Sequence, residues 1–300
     1  MQNFQAGQRR QASLRLKGIL FLLVTAFGWG SNWTAIKILL REWPPLFSRG
    51  VAGVIAACIL LPIALRYGEK LSFPRSALPR LLFSSFTNVF AWMGFSTLAM
   101  KSLNVSEAAI LVYTMPIWAI MLAWPILGAR PNQRGIAAVV LGFIGVAVLL
   151  GGSTFSAGSG EITGIMLSLA AAILFALGSI LNRTPLPIPP LAAVMWQVGL
   201  GCVPMVILGL LWEHPKFEAL TAGGFAVLIY MALVSMCICY LSWFATLRYL
   251  PAQTASTGML LVPVVGIVSA ALLLGEPLGW KEVLSTAITL SGVTLALRQN

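Results

Sequence analysis

Polar and aromatic side chains interrupt an apolar stretch near the start of the chain, FGWGSNWTAIKILL at residues 27–40. Trp29, Asn32 and Trp33 share one helical face there, with Lys37 at its edge, because residues three and four positions apart lie together. These groups can bind a small molecule by hydrogen bonds and stacking. Since Lys costs about 3 kcal/mol in the middle of a lipid-facing helix, we expect the face to line a wet cavity. The alternative is helix packing, with Lys37 extending to the membrane surface.

Amide, hydroxyl and aromatic side chains recur at helical spacing in other apolar segments. Asn88 and Trp92 are four residues apart, and Tyr240 and Trp243 are three apart. Stripes of small polar residues also serve helix packing, so packing is again the alternative. The complete set of predicted substrate-binding residues is Trp29, Asn32, Trp33, Asn88, Trp92, Tyr113, Ser179, Asn182, Tyr240, Trp243, Thr257 and Met259.

Two prolines, Pro116 and Pro263, lie inside long apolar segments. Each removes a backbone donor and bends its helix, and the freed carbonyl oxygens could accept an ammonium group. Proline-interrupted helices in corresponding places of two halves point to a transport site. We therefore predict that both prolines act as bending points, although many membrane helices tolerate proline without a function.

The residue types exclude most bond-breaking chemistry. All eight acidic residues are Glu, the only histidine is His214 in a loop, and the four cysteines lie inside apolar segments. A nucleophile with its base, or a metal site, needs more than this, so no catalytic residue, metal or cofactor is expected. No nucleotide-binding GxxxxGK[ST] motif is present. Glu107, near the outer start of the fourth apolar segment, and Lys37 are the two candidates for a charge role.

These side chains must be positioned by membrane helices. The 300 residues are 59% hydrophobic and 9% charged, whereas soluble domains have about 25% charged residues. The sequence therefore predicts an all-α integral membrane protein, and its net charge of +11 indicates cytoplasmic loops rather than nucleic-acid binding. Ten spans are predicted at residues 18–39, 46–65, 78–99, 105–127, 134–151, 162–182, 190–212, 222–247, 252–274 and 279–297.

The distribution of Lys and Arg orients these spans. With the N-terminus inside, 13 of the 19 basic residues lie on the inner side and at most 6 on the outer side. Cytoplasmic loops carry this excess, so both termini are predicted to be cytoplasmic, in a bacterial inner membrane. The basic N-terminus resembles a signal peptide, but its apolar run is long and lacks a small-residue cleavage pattern.

The two halves of the sequence resemble each other. The pattern F-x-x-G-S at residues 27–31 recurs at 175–179, and Pro116 matches Pro263 at an offset of 147 residues. Each half holds five spans, and because five is odd the second half must enter the membrane from the opposite side. The repeat is therefore inverted, with a site expected between the halves around a central cavity. The predicted boundaries are 1–151 for the first five-helix repeat and 152–300 for the second.

The ten spans, the five-plus-five repeat, an early WGSNW and a late LLLGEPLGWKE…SGVTLAL resemble the drug/metabolite transporter superfamily. Within it the chain resembles the EamA-type ten-helix exporters of amino acids and metabolites. The first half departs from the pattern, because Ala129 stands where the second half has Glu276. The resemblance implies helices around a central cavity and export of small metabolites.

Together these observations predict a secondary transporter or facilitator that exports amino acids or related small metabolites by alternating access. Its partners are the small-molecule substrate and the lipid bilayer, and it is a monomer or homodimer. Within the superfamily, the alternatives are a proton-coupled multidrug or quaternary-amine transporter and a nucleotide-sugar transporter. The last would need several inward-facing cations, for which only Lys37 and Arg49 qualify. Outside transport, the alternatives are an intramembrane enzyme and a non-transporting assembly subunit.

Overall fold

The computed structural model describes residues 2–150 and 159–298, with side chains from Leu14 onward except those of residues 252 and 253. The described residues form helices and short connections without strands. The ten long helical segments are α1 Gln2–Leu39, α2 Pro45–Arg66, α3 (Leu78–Ser85, Phe86–Phe95 and Ser96–Ala99), α4 (Val105–Val112 and Met115–Leu127), α5 Gln133–Leu150, α6 Ser159–Leu181, α7 (Pro190–Leu208 and Gly209–Glu213), α8 (Ala222–Tyr230, Met231–Ile238 and Cys239–Tyr249), α9 (Ala252–Gly258 and Leu261–Leu274) and α10 Trp280–Leu297.

Nine of these segments are long and apolar enough to cross a membrane within the described residues. The tenth, α10, has 18 residues and begins with the charged pair Lys281 and Glu282, which makes it less apolar. It nevertheless packs along α5 as one member of the bundle. The predicted all-α fold with ten spans is confirmed. The main difference in bounds is at α1, which begins well before the predicted residue 18.

Two helices are interrupted just before their prolines. In α4 the helix stops after Val112 and resumes at Met115, so Pro116 falls in the first turn of the second piece. In α9 the helix stops after Gly258 and resumes at Leu261, with Pro263 in the first turn. A missing backbone N–H costs nothing in a first turn, where that group has no partner within the helix.

Three other helices contain wide π-helical turns. These turns span Phe86–Phe95 in α3, Gly209–Glu213 in α7 and Met231–Ile238 in α8. The stretches in α3 and α8 overlap when the two halves are aligned at the repeat offset of 147 residues. Hydrogen bonds from i to i+5 widen the helix and change which side chains share a face, and such turns are frequent at functional sites.

The packing of the helices shows the inverted relation between the halves. The first helix of each half inserts among helices of the other: α1 packs on α8 and α9, while α6 packs on α3 and α4. The pairs α2 with α7 and α5 with α10 then join the halves. Helices α1 and α9 approach closely at Gly30, because a Cβ at that position would stand 2.9 Å from the carbonyl oxygen of Val262. The space left between these helices is the central cavity.

Candidate functional site: a cavity between the two repeats

A cavity of about 500 Å³ lies between the two halves. This volume falls within the range of small-molecule sites, roughly 300 to 1,000 Å³. Side chains from both repeats form its lining, including the wide turns of α3 and α8. Of the twelve predicted binding residues, nine line the cavity: Trp29, Asn32, Trp33, Asn88, Trp92, Tyr113, Tyr240, Trp243 and Met259.

One aromatic wall joins α1 to α8. The Trp29 ring meets the Tyr240 ring edge to face at 5.4 Å between centroids and lies 6.2 Å from the Trp243 ring. Its indole Nε1 donates a hydrogen bond to the Ser235 carbonyl oxygen at 2.7 Å. That bond fixes the ring's direction, so its face is presented to the cavity rather than left free to rotate.

A second aromatic wall joins α1, α3, α4 and α6. The Trp92 ring lies 4.7 Å from the Phe175 ring and 6.3 Å from the Tyr113 ring, measured between centroids. Tyr113 also lies 6.1 Å from Trp33. Because Tyr113 sits at the interruption of α4, any bending there moves this wall. Phe175 was missed by the sequence analysis, although it belongs to the repeated F-x-x-G-S pattern.

Arg49 is the cation of the cavity. It lies in the second turn of α2, is 5% exposed, and lines the cavity. Its Nη1 donates to Asn32 Oδ1 at 3.4 Å, and its Nε has no hydrogen-bond partner. Within the described residues no carboxylate pairs with it. The sequence analysis named Arg49 as an inward-facing cation but not as a binding residue, because a cation near a helix end ordinarily extends to the surface.

Three predicted binding residues are not among the cavity-lining side chains. The Ser179 hydroxyl is exposed and donates to the Phe175 carbonyl oxygen at 2.9 Å, and Asn182 Nδ2 donates to the Gly178 carbonyl oxygen at 3.0 Å. Both bond back to their own helix, so α6 contributes Phe175 instead. Thr257 adjoins the lining residue Ser256 but is itself outside the lining. Of the two prolines, only Pro116 lines the cavity, and Pro263 is buried in α9.

The two candidates for a charge role also lie outside the lining. Lys37 Nζ donates to the carbonyl oxygens of Met100 and Leu103, both at 2.6 Å. It thus supplies a hydrogen-bond donor to backbone carbonyl groups that follow the end of α3. Glu107 forms a capping box with Asn104 at the start of α4: the Asn104 N–H donates to Glu107 Oε2 at 2.9 Å. Each charge thus serves a helix end rather than the cavity.

The two ends of the cavity differ. At one end the chain is tightly closed: Leu39, Leu103 and Val105 are buried, and the Val105 N–H donates to Glu276 Oε2 at 2.9 Å. At the other end the lining continues to Leu297, the last residue of α10. The cavity therefore runs from the middle of the bundle towards the side where the C-terminus lies.

Other carboxylates also bind helix N-termini. Glu213 accepts hydrogen bonds from the N–H groups of Leu46 and Phe47 at the start of α2. Glu69 does the same for α7, with the Ala192 N–H at 2.8 Å, and Glu42 accepts from the Thr221 N–H at the start of α8. These uses explain why no carboxylate lines the cavity among the described residues. The same residues hold no cluster of His, Cys, Asp or Glu suited to a metal.

The arrangement is that of a binding site. Aromatic rings can pack on an apolar or unsaturated group, Asn32 and Asn88 can form hydrogen bonds, and Arg49 supplies one positive charge. Neither a nucleophile paired with a base nor a carboxylate pair is assembled by the described lining residues.

Comparison with known proteins supports a transport function for this geometry. The model of the EamA-like transporter family matches the chain twice, at residues 16–151 and 162–298. A "Probable amino-acid metabolite efflux pump" of Salmonella typhimurium is 29% identical over 93% of this chain and 94% of that protein. The "Uncharacterized inner membrane transporter YedA" of Escherichia coli is 29% identical over 94% of this chain and 90% of its own length.

A solved structure shares the fold. One crystal structure aligns over 95% of this chain and 96% of its own with a TM-score of 0.67 at 17% identity. The double family match extends over most of the sequence, and relatives of nearly equal length are named transporters. The chain is thus an integral membrane protein of the EamA-like transporter family, within the drug/metabolite transporters.

Proposed function

We propose that the protein is a secondary transporter or facilitator that exports amino acids or related small metabolites by alternating access. The observation that carries the proposal is the aromatic cavity between two inverted repeats, closed at one end and extended to the other. A site enclosed by both halves can change the side from which it is reached when the halves move. Its size and aromatic walls suit amphipathic molecules with one or two polar groups.

The relatives support this substrate class and location. One is named an amino-acid metabolite efflux pump and another an inner membrane transporter, each at 29% identity. We therefore place this chain in a bacterial inner membrane. With both termini in the cytoplasm, as the basic residues predict, the cavity would extend towards the cytoplasm, and the structure would be the state that loads substrate for export.

The interruptions of α4 and α9 supply bending points for alternation. Pro116 cannot donate to the Val112 carbonyl oxygen, so the helix can change its angle at Tyr113 without breaking a regular hydrogen bond. The equivalent interruption in α9, before Pro263, lies beside the lining residue Met259. Bending at one site would open one end of the cavity, and bending at the other would open the opposite end.

The transport step needs no obligatory proton exchange. A proton antiporter normally keeps a carboxylate or histidine in the membrane that binds proton and substrate alternately. Here the described lining holds neither, and Glu107 is engaged in the capping box of α4. We therefore propose that flux follows the substrate gradient. A proton-coupled drug transporter is the competing hypothesis, and it would require a carboxylate or histidine that the described lining does not contain.

Flux in proteoliposomes containing only this chain tests the proposal. We expect counterflow of one or more radiolabelled amino acids at zero pH gradient and no accumulation above equilibrium when a gradient is imposed. Accumulation that Glu107→Gln abolishes would establish proton coupling instead. Absence of flux for every amino acid, quaternary amine and nucleotide tested would favour an assembly subunit.

Variants of the aromatic wall connect the flux to the cavity. We expect Trp92→Ala to lower counterflow about 10-fold or more while folded yield stays near that of the native chain. The matched control is Trp212→Ala, since Trp212 is 72% exposed at the end of α7. Loss of folded protein together with normal flux per folded molecule would make Trp92 a packing residue.

Cysteine labelling tests the orientation. Ser159→Cys and Arg183→Cys lie at the two ends of α6. We expect a membrane-impermeant thiol reagent to label the first from outside and the second only from inside. Labelling of both from one side would exclude α6 as a span and overturn the predicted topology.

A further inference from the structure

We propose that Arg49 is the binding site for a substrate carboxylate, so that the transported molecules are amino acids or other monocarboxylates. This inference rests on the proposed function and narrows its substrate class. Arg49 is a poor candidate for a structural cation, because its side chain is 95% buried yet forms no ion pair within the described residues. A buried charge without a partner is costly, and an anion in the cavity would relieve that cost.

The free donors of Arg49 have the geometry that a carboxylate requires. Its Nε has no partner, and the hydrogen bond from its Nη1 to Asn32 Oδ1 is long at 3.4 Å. A guanidinium presents its donors as a planar fork that matches the two oxygens of a carboxylate. Replacing the weak bond to Asn32 by two charged hydrogen bonds would be favourable on binding.

Asn32 extends the same site. With its Oδ1 turned to Arg49, its Nδ2 is left to donate to a ligand, and no hydrogen bond from that nitrogen is formed within the described residues. Asn32 and Arg49 therefore converge from α1 and α2 on one side of the cavity. Two neighbouring donor groups, one charged and one neutral, can bind both oxygens of a single carboxylate.

The rest of the lining limits the charge and shape of the ligand. Arg49 is the one cation in the described lining, so a dianion or a phosphorylated molecule would remain partly unneutralised. Among the described lining residues no carboxylate is placed to pair with a lone ammonium or quaternary amine. An amino acid fits, because its carboxylate can bind Arg49 while its ammonium contacts the faces of rings such as Trp29 or Tyr240.

Ligand titration of the purified chain tests the inference separately from flux. Quenching of tryptophan fluorescence is measured with three probes that share the same phenylalkyl group: 3-phenylpropionate, its neutral amide 3-phenylpropanamide, and the cation 3-phenylpropylamine. We expect the native chain to bind the carboxylate about 10-fold or more tightly than either other probe. Equal affinity for all three, or measurable binding of none, would overturn the inference.

Substitution of the cation assigns the preference to Arg49. We expect Arg49→Gln to weaken binding of 3-phenylpropionate about 10- to 100-fold and to leave binding of the amide within about 3-fold. The matched control, Arg66→Gln, removes the same charge from the exposed far end of α2 and should change neither affinity. A carboxylate preference that survives Arg49→Gln would overturn the assignment.

A second variant keeps the test decisive if the first folds poorly. Arg49→Lys retains the charge but loses the planar fork, so we expect a carboxylate affinity between those of the native chain and Arg49→Gln. If Arg49→Lys bound all three probes with the affinity of the native chain, the planar guanidinium would not be required for carboxylate binding. Flux without carboxylate selectivity would refute this inference alone, whereas absence of flux in every variant would refute the proposed function.

Discussion

The interrupted helices α4 and α9 occupy equivalent places in the two repeats but begin in different ways. The start of α4 is capped twice: Asn104 and Glu107 form a capping box, and the Val105 N–H donates to Glu276 from the loop before α10. The start of α9 follows Pro251 and has no side-chain cap. Because uncapped helix ends leave polar groups unsatisfied, the two starts differ in how firmly they are held.

The difference in capping corresponds to the difference between the two ends of the cavity. The capped start of α4 lies at the closed end, and the uncapped start of α9 lies near the end to which the lining extends. The sequence contains the same asymmetry, because the first repeat has Ala129 where the second has Glu276. We infer that Glu276 and its neighbours stabilise closure at one end and that, in the part of the chain that the structure describes, no matching contact stabilises closure at the other.

Removal of Glu276 should have the largest effect on the closed end of the cavity. Glu276→Ala leaves the Val105 N–H without its charged acceptor, a change of about 1.5 to 3 kcal/mol, and should raise the population open at the α4 end about 10- to 100-fold. The measurement is the labelling rate of Ile36→Cys, a lining position, by an impermeant thiol reagent added outside cells. The four native cysteines are replaced by alanine for this purpose.

The control for that experiment is Glu218→Ala. Glu218 is exposed in the connection between α7 and α8, so its removal changes the charge without removing a cap. An equal rise in labelling in the control, or no rise in Glu276→Ala, would show that the cap does not hold the closed end.

Lys37 offers a smaller effect at the same end. Lys37→Met retains the length of the side chain but removes the donors to the Met100 and Leu103 carbonyl oxygens. Since Lys37 is only half-buried and those carbonyls can gain water, we expect labelling of Ile36→Cys to rise several-fold, less than in Glu276→Ala. A larger effect in Lys37→Met would identify the α3 end, rather than the α4 start, as the main closing contact. Lys101→Met is the matched control, because Lys101 is exposed in the neighbouring turn.

A carboxylate added at residue 129 should have the smallest effect, at the opposite end of the cavity. By the repeat, Ala129→Glu would place an acceptor where it can reach the start of α9 when that end closes. We expect the closed population at that end to rise about 2- to 5-fold, because a surface cap contributes about 1 kcal/mol or less. The readout is slower labelling of Met259→Cys from the side of the membrane on which the C-terminus lies. Ala129→Gln is the neutral control. If it slowed labelling as much as Ala129→Glu does, the negative charge would not be the cause of the effect.

The sequence predicted the architecture well because the membrane constrains it. Spans of about 20 apolar residues and the offset between the prolines were sufficient to give ten helices in two inverted repeats. Nine of twelve predicted binding residues line the cavity, because in apolar segments an amide or a tryptophan at helical spacing usually faces water or another helix. The aromatic face of α1 is the clearest example, since Trp29, Asn32 and Trp33 all line the cavity.

The sequence predicted the charges and the faces of some helices less well. Arg49 lies near a helix end, where a cation ordinarily extends to the surface, and only the packing around α2 shows that it is buried. Symmetry between α1 and α6 did not place Ser179 and Asn182 in the cavity lining, because both side chains donate to carbonyl oxygens of their own helix. In α3 and α8, wide turns change the helical period, so spacing by four residues no longer identifies a single face.

The pair α2 and α7 has a mechanical consequence. Glu213 at the end of α7 accepts a hydrogen bond from the start of α2, and Glu69 after the end of α2 accepts one from the start of α7. The two antiparallel helices are therefore held together by a charged hydrogen bond at each end. One helix belongs to each repeat, yet neither can slide along the other without losing a charged hydrogen bond. The α2–α7 pair would then be a pivot, because the two repeats could tilt relative to each other without breaking these hydrogen bonds but could not slide past each other. The protein would therefore span the same thickness of membrane while the cavity changes sides.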